Sequence, residues 1–589
     1  MNLSQNALKI LEDRYLLRAP NGKMKEKPEE MIRRVARVVA EAEKKYREGE
    51  QARWEEEFFR MMDSLEFLPN SPTLMNAGNP LGQLSACFVL PVPDSLEGIF
   101  QAVRDMALVQ QTGGGTGFSF SSLRPSDDVV STTGGYASGP VSFMRVFDSA
   151  TESIKQGGKR RGANMGVLRI DHPDIIDFIK CKKENEAFAN FNISVSIPDA
   201  FFDAYRKSEN IPLVNPRTGK HARNVKARHL FGLLCRAAWE TGDPGIIFID
   251  RVNRDNPTPD LGMIEATNPC GEVPLLPFES CNLASINLSR MLRRKGKSTE
   301  FDFERFGVIV ENGVRFLDNV IDVNRFPLEE IAQATSGNRK IGLGIMGFAD
   351  MLIQAGIPYD SIEAQKITEK IISFMERKAL EASMKLAKVR GTFPNYHRSI
   401  FKDTGMPVRN ACRLSIAPTG TISLIAGTSS GIEPLFAVAH LRKHVLGGKE
   451  LLEVNPLFIR QLKERKLYSE FLIEEVARKG SIRAIKRIPD DMKKLFITAL
   501  DIPPTKHLKI QAIFQRHVDS GVAKTINMPH SAAVDNVQQA YLMAQKLDLK
   551  GVTVYRYGSK QTQVLNVGIP EKFSIDHLLR CDPDTCLID

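Results

Sequence analysis

Apolar residues recur along this chain with two different periods. Asn192-Ile193-Ser194-Val195-Ser196-Ile197 alternates polar and apolar positions and stops at Pro198, which predicts a strand with one buried face. Val552-Thr553-Val554-Tyr555 predicts another strand. Over 362–390 the residues Ile367, Ile371, Phe374 and Met375 fall at helical spacing and the pattern ends at Gly391, so a helix is predicted there. Residues 28–64 are charged with a helical period and mark an N-terminal helical region over 1–66. From Phe67 to about Pro198 short apolar runs alternate with Gly, Ser and Thr, as where loops between strands and helices carry binding residues. Residues 440–500 are dense in Lys, Arg and Glu and predict a peripheral helical elaboration. After Tyr555 the periodicity fades, so 559–589 is expected to be a flexible tail with no part in the core. The pattern is α/β, with a catalytic unit over 67–558. It shows no internal repeat.

Composition narrows the class. The 589 residues are 42% hydrophobic and 25% charged, the proportions of a globular protein and not of a disordered or disulfide-scaffold chain. No run of about 18 apolar residues could span a bilayer, and the first residues lack the apolar core of a secretory signal. A cytoplasmic protein is expected. The net charge of +10 is spread along the chain, which fits a solvated surface and is compatible with nucleotide ligands, but no nucleic-acid polymer is implied. Eight cysteines in so long a chain are too few for a disulfide framework and are expected as thiols. Cys235, inside an apolar run, and Cys412 are expected in the core, and Cys181 has no evident role.

Two glycine-rich stretches imitate nucleotide-binding loops. Gly342-Leu343-Gly344-Ile345-Met346-Gly347 has the G-x-G-x-x-G spacing, but that fingerprint requires a buried strand running into its first glycine. Ala-Thr-Ser-Gly-Asn-Arg-Lys precedes it, with only Ile341 apolar, so no strand is expected and the glycines are expected to serve close helix packing. Gly113–Gly117 lacks the Gly-Lys-Ser/Thr ending of a P-loop. It is either a flexible turn or backbone brought close to a ligand.

The sharpest chemical signal is Asn268-Pro269-Cys270-Gly271-Glu272. In an extended backbone residues two apart share a side, so an amide, a thiol and a carboxylate are expected to project together. A carboxylate beside the thiol disfavours a thiolate, and no histidine lies nearby to activate one. A thiol that exchanges hydrogen atoms, with Glu272 as general base, fits these residues better, although a surface turn with an incidental cysteine fits the segment alone equally well. Cys281 follows in Glu279-Ser280-Cys281-Asn282-Leu283, and Cys87 opens a strand-like run in Ser85-Ala86-Cys87-Phe88. In Ala417-Pro418-Thr419-Gly420-Thr421-Ile422-Ser423, successive backbone N–H groups and hydroxyls make either a nest for phosphate oxygens or an ordinary turn.

In order along the chain, LPNSPTLMNAG, SACF, GGGTGF, QGGKRRGANMG, NPCGE, SCNL, IGLGIMG, APTGTIS and KGVTVYR resemble the catalytic chain of ribonucleotide reductases over roughly Phe67 to Lys560. The resemblance implies a ten-stranded α/β barrel of two five-stranded parallel halves arranged antiparallel, with a central finger loop carrying Cys270. It implies that Cys270 becomes a thiyl radical that removes the ribose 3′-hydrogen, that Glu272 takes the 3′-hydroxyl proton and that Asn268 orients the sugar. Cys87 and Cys281 would be the dithiol that reduces the 2′ position. Ser71, Ala86, Cys87, Gly115, Pro269, Gly271 and the Pro418, Thr419, Gly420, Thr421 and Ile422 loop match substrate-contact positions.

Within the family, chains served by a separate radical subunit carry two adjacent tyrosines where this one has Val554-Tyr555, and only Cys581 and Cys586 lie downstream, too few for the four-cysteine zinc site of glycyl-radical relatives. The resemblance therefore points to the adenosylcobalamin-dependent class, with no metal-ligating cluster and no protein histidine on cobalt. The partner-subunit mechanism is the nearest rival. A nucleotide-binding protein without radical chemistry and a nicotinamide enzyme stand further off. Cys581 and Cys586 match a C-terminal shuttle that accepts electrons from a thioredoxin-like donor. Lys155, Gly158, Lys159, Arg160 and Arg161 match a loop that binds a deoxynucleotide effector at a homodimer interface, or else form a basic surface hairpin. The residues ahead of the catalytic signals are too few for an added ATP-binding domain, so no overall switching by ATP and dATP is expected.

Overall fold

The computed structural model describes all residues except 2, 131–133, 157–159, 184–186, 297, 446–448, 561–564 and 568–589. A ring of strands forms its centre. One half consists of five parallel strands: β1 (Cys87–Val89), β2 (Gly115–Ser119), β3 (Asn164–Arg169), β4 (Phe191–Ile197) and β5 (Gly245–Phe248). The other begins with β6 (Ser280–Asn287), parallel to β7 (Ile341–Met346). From β7 it passes through bridges Leu343–Leu414 and Ile416–Val522, then to β8 (Thr525–Met528) and its parallel neighbour β9 (Gly551–Arg556). The halves meet antiparallel at two seams, where Cys281 faces Cys87 and Ile246 faces Val552. This is the paired-halves barrel that the family resemblance implies.

Parallel strands covered on both faces are buried throughout, as β6 and β7 are. The expectation for Gly342–Gly347 is overturned, because Gly342 and Gly344 lie within a strand, while Gly347, with φ +75°, follows it and caps the start of the next helix. Ile341, Leu343 and Ile345 alternate with glycine, and the bare positions admit the next strand: a Cβ at Gly344 would lie 2.3 Å from the Ser415 carbonyl oxygen.

Helices cover the ring in two apolar cores. One gathers the N-terminal helices α1 (Gln5–Arg14), α2 (Pro28–Ala40) and α3 (Gln51–Asp63) with α6 (Phe303–Val323) and α7 (Ile362–Arg390); the other gathers α4 (Leu96–Gln111), α5 (Ala227–Thr241) and α8 (Val534–Lys546). The 362–390 helix ends at Gly391 as its pattern predicts, with φ +82°. A buried ionic cluster ties the N-terminal region to the barrel. Arg390 reaches Glu43 at 2.7 Å and Asp318 at 2.8 Å, and Arg339 reaches Asp318 at 2.8 Å. Burial alone would raise the Asp318 pKa, but Arg339, Arg409 and Arg390 hold it at about 2.

Two expectations near the C-terminus are corrected. The 440–500 region is not simply helical, for it opens with a hairpin of Ala439–Val445 and Lys449–Val454 before its three helices, and it has an apolar core of its own. The stretch after 559, expected as a flexible tail, contributes a third strand, Leu565–Val567, to that hairpin, and 568–589 lie outside the described residues. No helix among the described residues is long and apolar enough to cross a membrane.

Candidate active site

A short hairpin, Ala266–Thr267 with Pro274–Leu275, lies inside the barrel and carries the Asn268–Glu272 segment at its tip. The barrel wall is pared down to receive it. A Cβ on Gly117 would lie 1.8 Å from the Thr267 carbonyl oxygen, and one on Gly115 would lie 2.9 Å from the Pro269 ring. Gly115 and Gly117 thus bring backbone close to the hairpin, while Gly114 faces Phe88 and Val109.

The tip is a turn, which corrects the expected extended backbone. The Gly271 N–H donates to the Asn268 carbonyl at 3.1 Å and Gly271 has φ +83°, a conformation that suits glycine. In consequence the three side chains part company. Cys270 is exposed at the tip, whereas Asn268 and Glu272 are each only 2% exposed. The Asn268 amide donates to the Cys87 sulfur at 3.1 Å, and its carbonyl accepts from the Val273 N–H at 3.0 Å. Burial pushes Glu272 up to about 7, partly opposed by an Asn268 hydrogen bond, and its Oε2 has no partner among the described residues. A buried carboxyl oxygen left unpaired is costly unless a ligand supplies the missing donor.

Cys87 and Cys281 sit directly opposite each other across the β1–β6 seam. Side chains so placed have Cβ atoms about 4.5–5.5 Å apart, close to the spacing that a disulfide needs. Both are buried. Burial raises both thiols well above their ordinary range; Glu272 adds to this at Cys87, as does Cys412 at Cys281, where Lys340 opposes it. At neutral pH both are protonated. Cys235 and Cys412 are buried, as expected of core residues, and Cys181 is half-buried.

Cys270, Pro269 and Gly271 open into a cavity of about 1040 Å³ that Asn192, Pro418 and Tyr555 also line. The Pro418–Ile422 loop is built as a cradle. Thr419 has φ +57°, its hydroxyl accepts from the Gly431 N–H at 2.7 Å, and the N–H groups of Gly420, Thr421 and Ile422 meet no acceptor among the described residues. Ala86 sits in the wall beside Cys87, its carbonyl accepting from the Gly115 N–H at 2.8 Å. Ser71 opens a short helix, and its hydroxyl is 2.7 Å from that of Tyr15, outside the cavity lining. Lys155, Arg160 and Arg161 lie on a two-stranded hairpin, and Gly158 and Lys159 fall outside the described residues, as do Cys581 and Cys586.

Three residues that hold the tip carried no sequence signal. Asn192 on β4 donates to the Pro269 carbonyl at 2.8 Å, while the Ser415 hydroxyl at 2.9 Å and the Gly521 N–H at 2.7 Å both donate to the Glu272 carbonyl. Isolated polar residues beside a strand or turn are too common to single out.

A barrel that threads one exposed thiol on a finger past a facing pair of buried thiols defines a thiol-dependent oxidoreductase. Comparison with known proteins names it. The family model for the ribonucleotide reductase barrel domain matches residues 85–407 and 401–555, and that for the all-alpha domain matches 1–82. A vitamin B12-dependent ribonucleoside-diphosphate reductase of Thermoplasma acidophilum is 48% identical over 648 residues, covering 100% of this chain and 84% of the relative. One of Mycobacterium tuberculosis is 50% identical over 572 residues, covering 97% and 80%. The class Id ribonucleotide reductase alpha subunit of Actinobacillus ureae shares the fold, with a TM-score of 0.77 at 24% identity over 95% of this chain and 99% of that one. The chain belongs to the ribonucleotide reductase family.

Proposed function

We propose that this chain reduces ribonucleoside diphosphates to 2′-deoxyribonucleoside diphosphates with adenosylcobalamin as radical source. The observation that carries the proposal is the unpaired, buried Oε2 of Glu272, set on the same finger turn as Cys270 and joined through Asn268 to Cys87. The relatives named above are vitamin B12-dependent diphosphate reductases, which supports both cofactor and substrate.

The residues divide the work. The Pro418–Ile422 cradle holds phosphate through its unspent N–H groups, and Asn268 and Glu272 hold the ribose. Cys270, as a thiyl radical, takes the 3′-hydrogen while Glu272 takes the 3′-hydroxyl proton. The 2′-hydroxyl leaves as water. Cys87 and Cys281 supply two electrons and two protons and end as a disulfide, and Cys270 returns its hydrogen atom to C3′ while Glu272 returns its proton to the 3′-oxygen. Their raised pKa values suit this role, because each must arrive carrying its proton.

The cavity fits the cofactor in one testable respect. The Gln511 side chain in its wall is 1% exposed and its Oε1 has no partner among the described residues, so it would accept an N–H from the amides that fringe a corrin. When bound, adenosylcobalamin would supply, by homolysis of its carbon–cobalt bond, a carbon radical able to take a hydrogen atom from a thiol.

The 155–161 hairpin is the proposed effector site, taking a deoxynucleotide at a homodimer interface, and Cys581 and Cys586 are the proposed shuttle to a thioredoxin-like donor. The deciding experiment incubates the chain alone with adenosylcobalamin, dithiothreitol and a ribonucleoside diphosphate. Deoxynucleotide is the expected product, and product that forms only once a second, radical-bearing subunit is added would sink the cobalamin assignment.

A further inference from the structure

The hairpin of Ala439–Val445 and Lys449–Val454 does not close on itself. Leu565–Val567 lies along its free edge, with His440 opposite Val567, Leu441 opposite Asn566 and Arg442 opposite Leu565 in antiparallel register. Both strands of the hairpin lead into the cavity wall: Ala437 precedes the first, and Val454 and Asn455 end the second. Lys560 lines the same cavity, 3.4 Å from Asp243. The chain therefore leaves the barrel at the cavity and is paired again, only a few residues later, on an element whose ends also line it.

We propose that this hairpin is a dock for the C-terminal segment, which adds to it as a strand and so fixes where the Cys581 and Cys586 tether begins. Strand addition suits an exposed edge, because the ladder of main-chain hydrogen bonds recognises extended backbone with little demand on side chains. The dock rests on the shuttle role assigned to those cysteines. In that role one tail thiolate attacks the Cys87–Cys281 disulfide, the second tail thiol resolves the mixed disulfide, and two thiols are restored in the barrel. The tail disulfide is then reduced by a thioredoxin-type dithiol protein, which supplies both electrons and both protons.

Docking shortens the tether. From Val567 to Cys581 is 581 − 567 = 14 residues, whereas from Lys560 it is 581 − 560 = 21. For a flexible tether the local concentration falls roughly as the −3/2 power of length, so undocking lowers it about twofold before any loss of direction is counted.

The test uses the full chain with adenosylcobalamin and compares turnover driven by thioredoxin with turnover driven by dithiothreitol, which reaches the barrel disulfide without the tail. Leu565→Pro/Asn566→Pro removes the tail strand's N–H donors in either pairing phase and leaves the hairpin's own sequence intact. The expected result is a fall of about twofold or more in thioredoxin-driven turnover, with dithiothreitol-driven turnover unchanged. Conversely, Leu441→Cys/Asn566→Cys, an opposed pair, should cross-link the dock and keep thioredoxin-driven turnover. A Cys581→Ser/Cys586→Ser chain separates the two ideas. If it loses thioredoxin-driven turnover while the proline variant keeps it, the dock is wrong and the shuttle stands. If it loses nothing, the shuttle fails and the dock fails with it. Loss in the proline variant under both reductants would also overturn the dock.

Discussion

In the proposed mechanism Cys270 and the Cys87–Cys281 pair serve one reaction, yet they live in opposite surroundings. The first stands exposed at the tip of a turn, facing a large cavity, while the other two are buried across a strand seam, with an amide N–H on one of them. The same side chain is thereby given two kinds of chemistry. Exposure at a turn would let Cys270 meet a bulky radical source at the cavity. Burial favours the protonated form of Cys87 and Cys281, and the strand seam sets them opposite each other near the spacing that a disulfide needs. In the proposed mechanism placement, more than residue type, separates initiator from reductant.

The contrast breaks most sharply at the initiator. Cys270→Ser should abolish deoxynucleotide formation, a loss of at least about 10⁴-fold on the scale of removed nucleophiles, because a hydroxyl does not yield its hydrogen to the radical source. Cys87→Ser should still generate radical signal by electron paramagnetic resonance but form no product. A Cys270→Ser enzyme that turns over, or a Cys87→Ser enzyme silent in the radical assay, would erase the division of labour.

Next comes the base between them. Glu272→Gln should lower kcat by about 10²–10⁴-fold. With Glu272 raised to about 7, its basic form grows as pH rises, so kcat of the wild-type chain should climb through that region and level off above it. The Gln variant should lack that limb. A wild-type profile flat from pH 6 to 8 would remove Glu272 from the proton transfer.

Smaller effects sharpen the placement itself. A methyl group at Gly117 has no room against the Thr267 carbonyl, whereas one at Gly420 meets nothing within 4 Å. Gly117→Ala should therefore cost about 1–3 kcal/mol in denaturant unfolding and displace the finger, while Gly420→Ala should leave stability within about 0.5 kcal/mol. Equal losses would mean that the finger does not press on β2. Asn192→Ala should leave the Pro269 carbonyl short of a donor and reduce kcat about tenfold, in keeping with about 1–3 kcal/mol for a lost partner. Substrate KM should stay near its original value, and an equal change in both constants would count against a positioning role.

Some of this could be read from the letters. The 192–197 strand and the 362–390 helix follow from period and from their stops at Pro198 and Gly391, although the strand is not buried on one face alone, since Ser194 and Ser196 are buried as well. The strand at Ile341–Met346 escaped for a physical reason. No apolar run precedes the glycines; instead Ile341, Leu343 and Ile345 themselves alternate, with glycine on the face where the Ser415 backbone lies. The turn at Asn268–Gly271 could not be told from extended chain, since Pro269 and Gly271 suit both. The 439–454 hairpin was hidden by its charge. Its third strand comes from more than a hundred residues away, and no local pattern announces a pairing of that kind. In the site, the ordered motifs disclosed Cys87, Cys270, Glu272 and Cys281, while Asn192, Ser415 and Gly521 show their use only once backbone and finger are side by side.

The cavity draws its wall from Leu3, Ser4, Gln5 and Asn6 at one extreme and from Lys560 at the other, 560 − 3 = 557 positions apart. During translation at about 5–20 residues per second, about half a minute to two minutes separate the emergence of the first wall from that of the last. Cys270 is made about midway through that interval, and from then on the proposed initiating sulfur stands in a compartment whose wall is still incomplete. The enzyme thus cannot assemble a working compartment until nearly all of it has left the ribosome.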